Sequence, residues 1–445
     1  MKKLFGTEGI RAVAGEFPLD SASVRTLGRA LAVLLKEEGL KPDLVIGRDT
    51  RESGVWIEEA FVLGFRECGG RAVSAGVIPT SAVSYLTRKH SYSAGIVLSA
   101  SHNPYDDNGI KIFSAEGTKI SDDLEIRLEK AIHEGVEASS AGEDGIGPEI
   151  PFLEEYVRFL HDGFPKALRP GGMRIVVDCA NGSSVVVAPR VFGDLGFEVV
   201  SLNTNPDGRN INLGCGSLHP EVVAAKVIEI GAALGIAYDG DADRAVWVDE
   251  TGRILHGDHT LFVQALYMKE RGRLRGNTVV ATTMSNMGLA EALGREGIGL
   301  HRTRVGDKYV LEEMIRRNAN LGGEQSGHTI FLDECPTGDG VLTSLKMAEA
   351  MISRQSPLSR LVSRFEEFPQ ILVNVRVRKK AAFDEFPEIA RTVKAIRSGL
   401  DGDGRLELRY SGTEPLARIM IEGRDKAGIE KQARGLADVI RKHLG

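Results

Sequence analysis

Short apolar runs alternate with longer segments of helical period along the whole chain, and polar or glycine-rich turns separate them. Asp43 to Gly47 predicts a strand, Ser53 to Cys68 a helix, Arg71 to Val77 a strand and Thr80 to Lys89 a helix. Ser93 to Leu98 is the next strand, and a polar helix follows from about Ser121 to His133. The Gly/Ser/Glu-rich stretch from Glu134 to Pro148 reads as a surface connection. A second unit opens with a helix near Pro151, then strand Arg174 to Asp178, helix Val185 to Leu195 and strand Phe197 to Leu202. It closes with helix Glu221 to Gly231 and strand Leu234 to Tyr238. The third runs through helix Asp258 to Arg271, strand Thr278 to Thr282, helix Asn286 to Arg295, strand Gly299 to Thr303 and helix Lys308 to Asn318. This rhythm implies α/β units with mixed, mostly parallel sheets.

The last stretch has another order: strand Ile371 to Arg378, helix Phe383 to Arg397, strands Arg405 to Tyr410 and Leu416 to Glu422, and helix Lys426 to His443. The expected organisation is therefore three similar α/β domains, over 1–150, 151–254 and 255–367, plus a smaller C-terminal α+β domain over 368–445. A length of 445 residues fits several cores rather than one. A hydrophobic share of 42% and a charged share of 27% are those of a soluble globular protein. The net charge of -6 argues against a general nucleic-acid binder. The chain has neither an apolar leader core near its start nor a run of about 18 apolar residues, so a membrane span is not expected. Cys68, Cys179, Cys215 and Cys335 form no CxxC pair and read as free thiols of a reducing cytoplasm, without zinc.

Candidate chemistry collects in turns that follow apolar strands. After Gly95-Ile96-Val97-Leu98 come Ser99, Ser101, His102, Asn103 and Pro104, and Asn108-Gly109 is expected to turn the chain back into Ile110-Lys111-Ile112-Phe113. A serine at a strand's carboxyl end with a lysine behind it suits nucleophilic chemistry, although a proline-capped polar turn has the same composition. Asp239, Asp241 and Asp243 alternate in a tight turn after Leu234 to Tyr238, and such carboxylates suit a hard divalent cation, best Mg²⁺ bridging to a phosphate. An EF-hand is excluded because its sixth position is Arg244 rather than glycine, and the residues that follow are strand-like. Gly322 to His328 is a glycine-flanked loop whose Glu324, Ser326 and His328 suit hydroxyl groups. Arg409 to Pro415, with Arg418 beyond, offers the donors of a phosphate cradle, and Gly6 to Arg11 is a similar Gly/Arg loop. Taken together, the loops describe machinery for moving a phosphoryl group on a phosphorylated polyol.

In order, FGTEGIR, SASHNPYDDNGIKIF, DGDADR, GGEQSGH and RYSGTEP resemble the motifs of the α-D-phosphohexomutase family over essentially the whole chain. The resemblance implies three α/β domains and a smaller fourth around a central cleft. It implies Ser101 as the phosphorylated serine, with His102 and Arg11 beside it and Lys111 as a proton carrier. It also implies Mg²⁺ held by Asp239, Asp241 and Asp243 with the Ser101 phosphate, and Arg244 beside the transferring phosphoryl. Glu324, Ser326 and His328 would meet the sugar; Arg409, Ser411, Gly412, Thr413 and Arg418 would hold the non-reacting phosphate. Gln325 in GEQSG resembles the glucosamine-preferring branch, which implies interconversion of glucosamine 6- and 1-phosphates by a cytoplasmic monomer or homodimer. The same machinery acting on glucose or mannose phosphates is the nearest alternative. Two positions depart from the pattern: Tyr410 stands where proline is usual, and Ala12 where glycine usually follows Arg11. Losing the fixed φ of proline is expected to loosen the phosphate loop.

Overall fold

Strands Ala94–Leu98 and Leu234–Tyr238 are buried at every position, because layers cover both faces of their sheets. The computed structural model describes residues 4–6, 9–139, 152–400, 402–411 and 415–445. Its first sheet has six strands, in the order Phe5–Gly6, Gly9–Val13, Asp107–Ser114, Ala94–Leu98, Asp43–Arg48 and Arg71–Val77. The second has five: Ile254–Leu255, Ala245–Asp249, Leu234–Tyr238, Arg174–Asp178 and Glu198–Leu202. A four-stranded sheet follows, with Gly299–Thr303, Thr278–Thr282, Leu321–Gly323 and Thr329–Phe331. The last has three strands, Gln370–Arg376, Leu416–Gly423 and Gly404–Tyr410, all paired antiparallel.

The first three sheets share one plan. Three strands of each pair in parallel, and an antiparallel hairpin extends that core. The hairpins join Leu98 to Asp107, Tyr238 to Ala245 and Gly323 to Thr329, and the fourth sheet repeats the device between Tyr410 and Leu416. The serine, acidic and Gly322 to His328 loops are thus hairpin tips, and strands Gly404–Tyr410 and Leu416–Gly423 flank the fourth.

Two local expectations are corrected. Asn108-Gly109 is not the turn: both residues lie inside strand Asp107–Ser114, and residues 101–106 make the reversal. Glycine is needed at 109 because a Cβ there would lie 2.5 Å from the Ser99 carbonyl oxygen and 2.8 Å from that of Ile10. The expected helix from Phe383 breaks into a short turn, Phe383–Glu385, and helix Pro387–Leu400. Pro387 keeps the residue before it out of the helical region, and Phe386 is extended at φ -108°, ψ 103°. Two further long helices, and the short Leu358–Leu361, lie among the described residues. Ser21–Glu37 is capped by Asp20, which accepts from the backbone of Ala22 and Ser23, and Gly340–Arg354 is capped by Asp339. Much of the expected connection over 134–148, and Pro151, lies outside the described residues.

One apolar core runs from Val83 and Phe113 through Phe192, Ile236 and Trp247 to Phe262, Leu345 and Phe365. It joins the first three sheets, and Trp247 Nε1 adds a hydrogen bond across the junction to Thr260 Oγ1 at 2.7 Å. The last sheet has a core of its own, around Ile419, Ile421, Leu436 and Ile440. Among the described residues, no helix is long and apolar enough to cross a membrane.

Candidate active site

The serine hairpin and the acidic hairpin meet at their tips. Ser101, at φ 54° and wholly buried, donates from Oγ to Asp239 Oδ2 at 2.6 Å. Close approach requires Gly240 beside it, since a Cβ there would lie 2.6 Å from the Ser101 carbonyl oxygen. Lys111, one turn of the pleat behind in Asp107–Ser114, places Nζ 2.6 Å from Asp241 Oδ2 and 2.9 Å from Asp243 Oδ2. Arg244 donates from its backbone to Asp239 Oδ1 at 3.2 Å and from Nη1 to His102 Nδ1 at 3.1 Å. His102 Nδ1 is therefore the acceptor of its ring, and it lies 3.3 Å from Ser101 Oγ. Arg11 stands in strand Gly9–Val13, directly opposite Gly109.

The three aspartates offer oxygens within 4.8 Å of one another, all buried. Burial, and next the charges of Asp243 and Asp241, push Asp239 well above the usual carboxylate range despite Arg244 and Ser101. Asp241 Oδ1 is buried without a hydrogen-bond partner. A crowded, dry set of carboxylate oxygens with an unanswered acceptor fits a hard divalent cation.

The Leu321–Phe331 hairpin is tied to this cluster by its backbone. Arg244 and His328 form an antiparallel bridge, and Ala245 N donates to the Gly327 carbonyl at 3.3 Å. Beyond it opens a cleft of about 820 Å³, lined by Glu324, Gln325 and Ser326 from this loop and by Glu407, Arg409 and Arg418 from the last sheet. Arg409 and Arg418 are directly paired across two antiparallel strands, and the repulsion of these like charges is offset at Arg409 by Glu407 and Glu324. Burial, then the Arg418 charge, hold Arg409 below its usual value. His328 does not line this cleft: it is buried beneath Gly338, whose backbone donates to its Nε2 at 3.1 Å. Ser411 is buried, donates to the Leu416 carbonyl at 2.8 Å and receives Lys380 Nζ on its own carbonyl at 2.6 Å. Gly412 and Thr413 lie outside the described residues.

Tyr410 does not leave its strand end loose. Its ring stacks on Phe383 at 4.3 Å and 15°, and its hydroxyl donates to the Ala381 carbonyl at 2.6 Å. Ala12 continues strand Gly9–Val13 opposite Asn108, and it packs against the first domain's core. The four cysteines are free and buried, and burial pushes Cys179, Cys215 and Cys335 up to about 12.

A second polar cluster, His256, His259 and Glu367, sits at the edge of the cleft. Both Nδ1 atoms accept backbone N–H groups at the start of helix Gly257–Glu270; His256 Nε2 faces Glu367, while His259 Nε2 lies near both Glu367 and Arg253 Nη2, the latter at 3.4 Å. Arg253 also reaches Glu367, at 3.4 Å. Glu367 pairs with both Arg253 and His256, which makes this edge of the cleft an ion-pair group.

Several contributing residues carry no motif that sequence reading weighed. Thr80 donates from N to the Asp241 carbonyl at 3.0 Å and from Oγ1 to Asp241 Oδ2 at 2.5 Å. Gly340 N donates to the Ala242 carbonyl at 2.9 Å, and Asn212 reaches the serine loop. Asp49 and Arg51 belong to Gly47-Arg48-Asp49-Thr50-Arg51, a polar run at the end of strand Asp43–Arg48, which was the one available signal.

Four family descriptions of phosphoglucomutase/phosphomannomutase match the chain in order: α/β/α domain I over 2–139, domain II over 154–252, domain III over 256–368 and the C-terminal domain over 372–439. A phosphoglucosamine mutase of Solibacter usitatus is 46% identical over 445 residues, covering 100% of this chain and 99% of that protein. A phosphoglucomutase/phosphomannomutase family protein of Burkholderia thailandensis superposes with a TM-score of 0.84 at 24% identity, covering 100% of this chain and 99% of that one. The N-acetylphosphoglucosamine mutase of Aspergillus fumigatus, solved with GlcNAc-6P and magnesium, superposes at 0.64 with 18% identity, over 99% and 96%. Motifs, four-sheet architecture and full-length matches agree, and the chain belongs to the phosphoglucomutase/phosphomannomutase family of α-D-phosphohexomutases.

Proposed function

We propose that the protein interconverts glucosamine 6-phosphate and glucosamine 1-phosphate through a phosphorylated Ser101 and a bisphosphate intermediate. The observation that carries this reading is Ser101 Oγ at 2.6 Å from Asp239 Oδ2, at the tip of a carboxylate triad and tied by backbone to an arginine-lined cleft. The glucosamine preference rests on full-length relatives that bear the name phosphoglucosamine mutase.

Phosphoserine 101 donates its phosphoryl to O1 of glucosamine 6-phosphate: the P–Oγ bond breaks, the P–O1 bond forms, and the O1 proton ends on the freed Ser101 Oγ, from which it is later returned to O6. Lys111 is the proton carrier of this scheme, and Arg244 faces the charge that develops on the phosphoryl oxygens. The bisphosphate then turns end for end, the O6 phosphoryl returns to Ser101, and O6 recovers a proton. When bound, Mg²⁺ held by Asp239, Asp241, Asp243 and the Ser101 group neutralises phosphoryl charge. Glu324 and Ser326 hold sugar hydroxyls, while Arg409, Ser411, Gly412, Thr413 and Arg418 keep whichever phosphate is not reacting, so one site serves both half-reactions. In this scheme Arg11 and His102 flank the phosphoserine, and His328 supports the sugar loop from beneath. The working units are 1–150, 151–254, 255–367 and 368–445.

Relative kcat/KM on glucosamine, glucose and mannose phosphates tests the assignment. Preference for the amino sugar is expected; equal or better turnover of glucose or mannose phosphates would replace it with the broader phosphohexomutase activity. Release of inorganic phosphate in place of isomerised sugar would count against the whole scheme.

A further inference from the structure

A serine at φ 54° does not hold that conformation unaided, since the left-handed region costs an ordinary residue about 1–2 kcal/mol. The bracing comes from residues outside the motif. Arg51, wholly buried, donates from Nη2 to the carbonyls of Ser101 and Asn103 at 3.0 Å each, and from Nη1 to that of Pro104 at 2.8 Å. Its Nε lies 3.0 Å from Asp49 Oδ2. The same Asp49 oxygen accepts from Ser99 Oγ at 2.5 Å, and Ser99 Oγ accepts from the Ser101 backbone N at 2.9 Å. From the second domain, Asn212 Nδ2 donates to the Ser101 and Asn103 carbonyls at 2.9 and 3.1 Å.

We propose that the buried Asp49–Arg51 pair is a positioning device for phosphoryl transfer, fixing both peptide groups of Ser101 so that Oγ stays on Asp239, with Asn212 making that placement depend on the second domain. This inference rests on the phosphoserine reading above. A guanidinium suits the task because its rigid fork answers three carbonyls and a carboxylate at once, which an ammonium's geometry does not. Burying an ion pair rarely adds net stability, so its donors matter most for where they point. They point at the nucleophile's loop, where a misplacement of about 1 Å costs roughly 100-fold in rate.

The test uses Arg51→Lys, Asp49→Asn and Asn212→Ala in the full-length protein. Removing a buried charge risks the fold; Asn212→Ala removes only a neutral donor and keeps the test open. Phosphorylation of wild-type Ser101 by a hexose 1,6-bisphosphate, followed by intact mass, checks the underlying reading separately. Expected are falls in kcat of about 100-fold for Arg51→Lys and about 10-fold for Asn212→Ala, with KM for glucosamine 6-phosphate changed less than about two-fold. The double variant should lose less than the product of the two, because both donors serve the same carbonyls. Unchanged kcat in Asn212→Ala and Arg51→Lys, or losses that merely track the folded fraction measured by circular dichroism, would overturn the proposal. A wild-type protein that takes no phosphoryl at Ser101 would overturn both it and the phosphoserine reading.

Discussion

Around Ser101 the ionic groups are packed away from water: Lys111 is 2% exposed, Asp241 1% and Asp243 3%, and the lysine bridges two of the carboxylates. Around Arg409 and Arg418 the arrangement is the reverse, with two like charges opposed across a strand pair on the wall of an open cleft. Both regions bind phosphate in the proposed scheme, yet they are built differently because they do different work. Transfer needs groups fixed before the reaction starts, in a medium that does not screen them. Holding a phosphate that must later be let go needs strong but reversible charge, which guanidinium groups on a cleft wall supply.

The comparison can be broken at either end. Ser101→Ala should give the largest effect, a loss of roughly 10⁴-fold or more in turnover, while equilibrium binding of glucosamine 6-phosphate measured by calorimetry stays within about three-fold. Comparable turnover in that variant would remove the serine from the reaction. Arg409→Ala should do the opposite: KM rises about 30- to 100-fold, as expected for losing a charge-assisted phosphate contact of about 2–3 kcal/mol. Mg²⁺ affinity should be nearly unchanged there, and a matching loss of metal binding would show that the two regions are not separable.

The smallest effect concerns the junction before the last sheet. Burial alone would raise Glu367, but His256 and Arg253 outweigh it and hold the carboxyl down to about 2. Burial alone would lower His256; Glu367 and Asp258 hold it above its ordinary 6.5. The raised histidine adds stability that is complete below 6.5 and fades as pH rises through its folded value. The lowered carboxyl adds stability that is complete above 4.5 and fades as pH falls toward about 2. Glu367→Gln should therefore cost about 1 kcal/mol in urea unfolding near pH 5.5 and less near pH 9. A cost that does not shrink at the higher pH would mean that the His256 contact contributes nothing.

The four loops were readable because each concentrates its chemistry within a few consecutive residues after an apolar strand. Their setting was less readable: strand order and direction depend on pairings far apart in sequence, such as Ile46 with Ile96 and Val177 with Ile236. Thr80, Asn212 and Arg51 act on loops 50 to 161 positions away, so no local pattern marks them. Helix Gly340–Arg354 is buried at every position from Gly340 to Met351 and so lacks the one-sided stripe that periodicity detects. Helix Ser21–Glu37, by contrast, has both an apolar stripe and a capping aspartate, so its signal was present in the chain. The break at Phe386 was equally available, from Pro387 alone.

The partition of the apolar core has a mechanical consequence. Because one core spans the first three sheets and the last sheet keeps its own, the two parts are separate apolar bodies. Ser101, the three aspartates and Gly322 to His328 belong to the first, and the opposed arginines to the second. In the proposed scheme, lifting the smaller body would give a bisphosphate room to turn while the Ser101–Asp239 contact stayed in place.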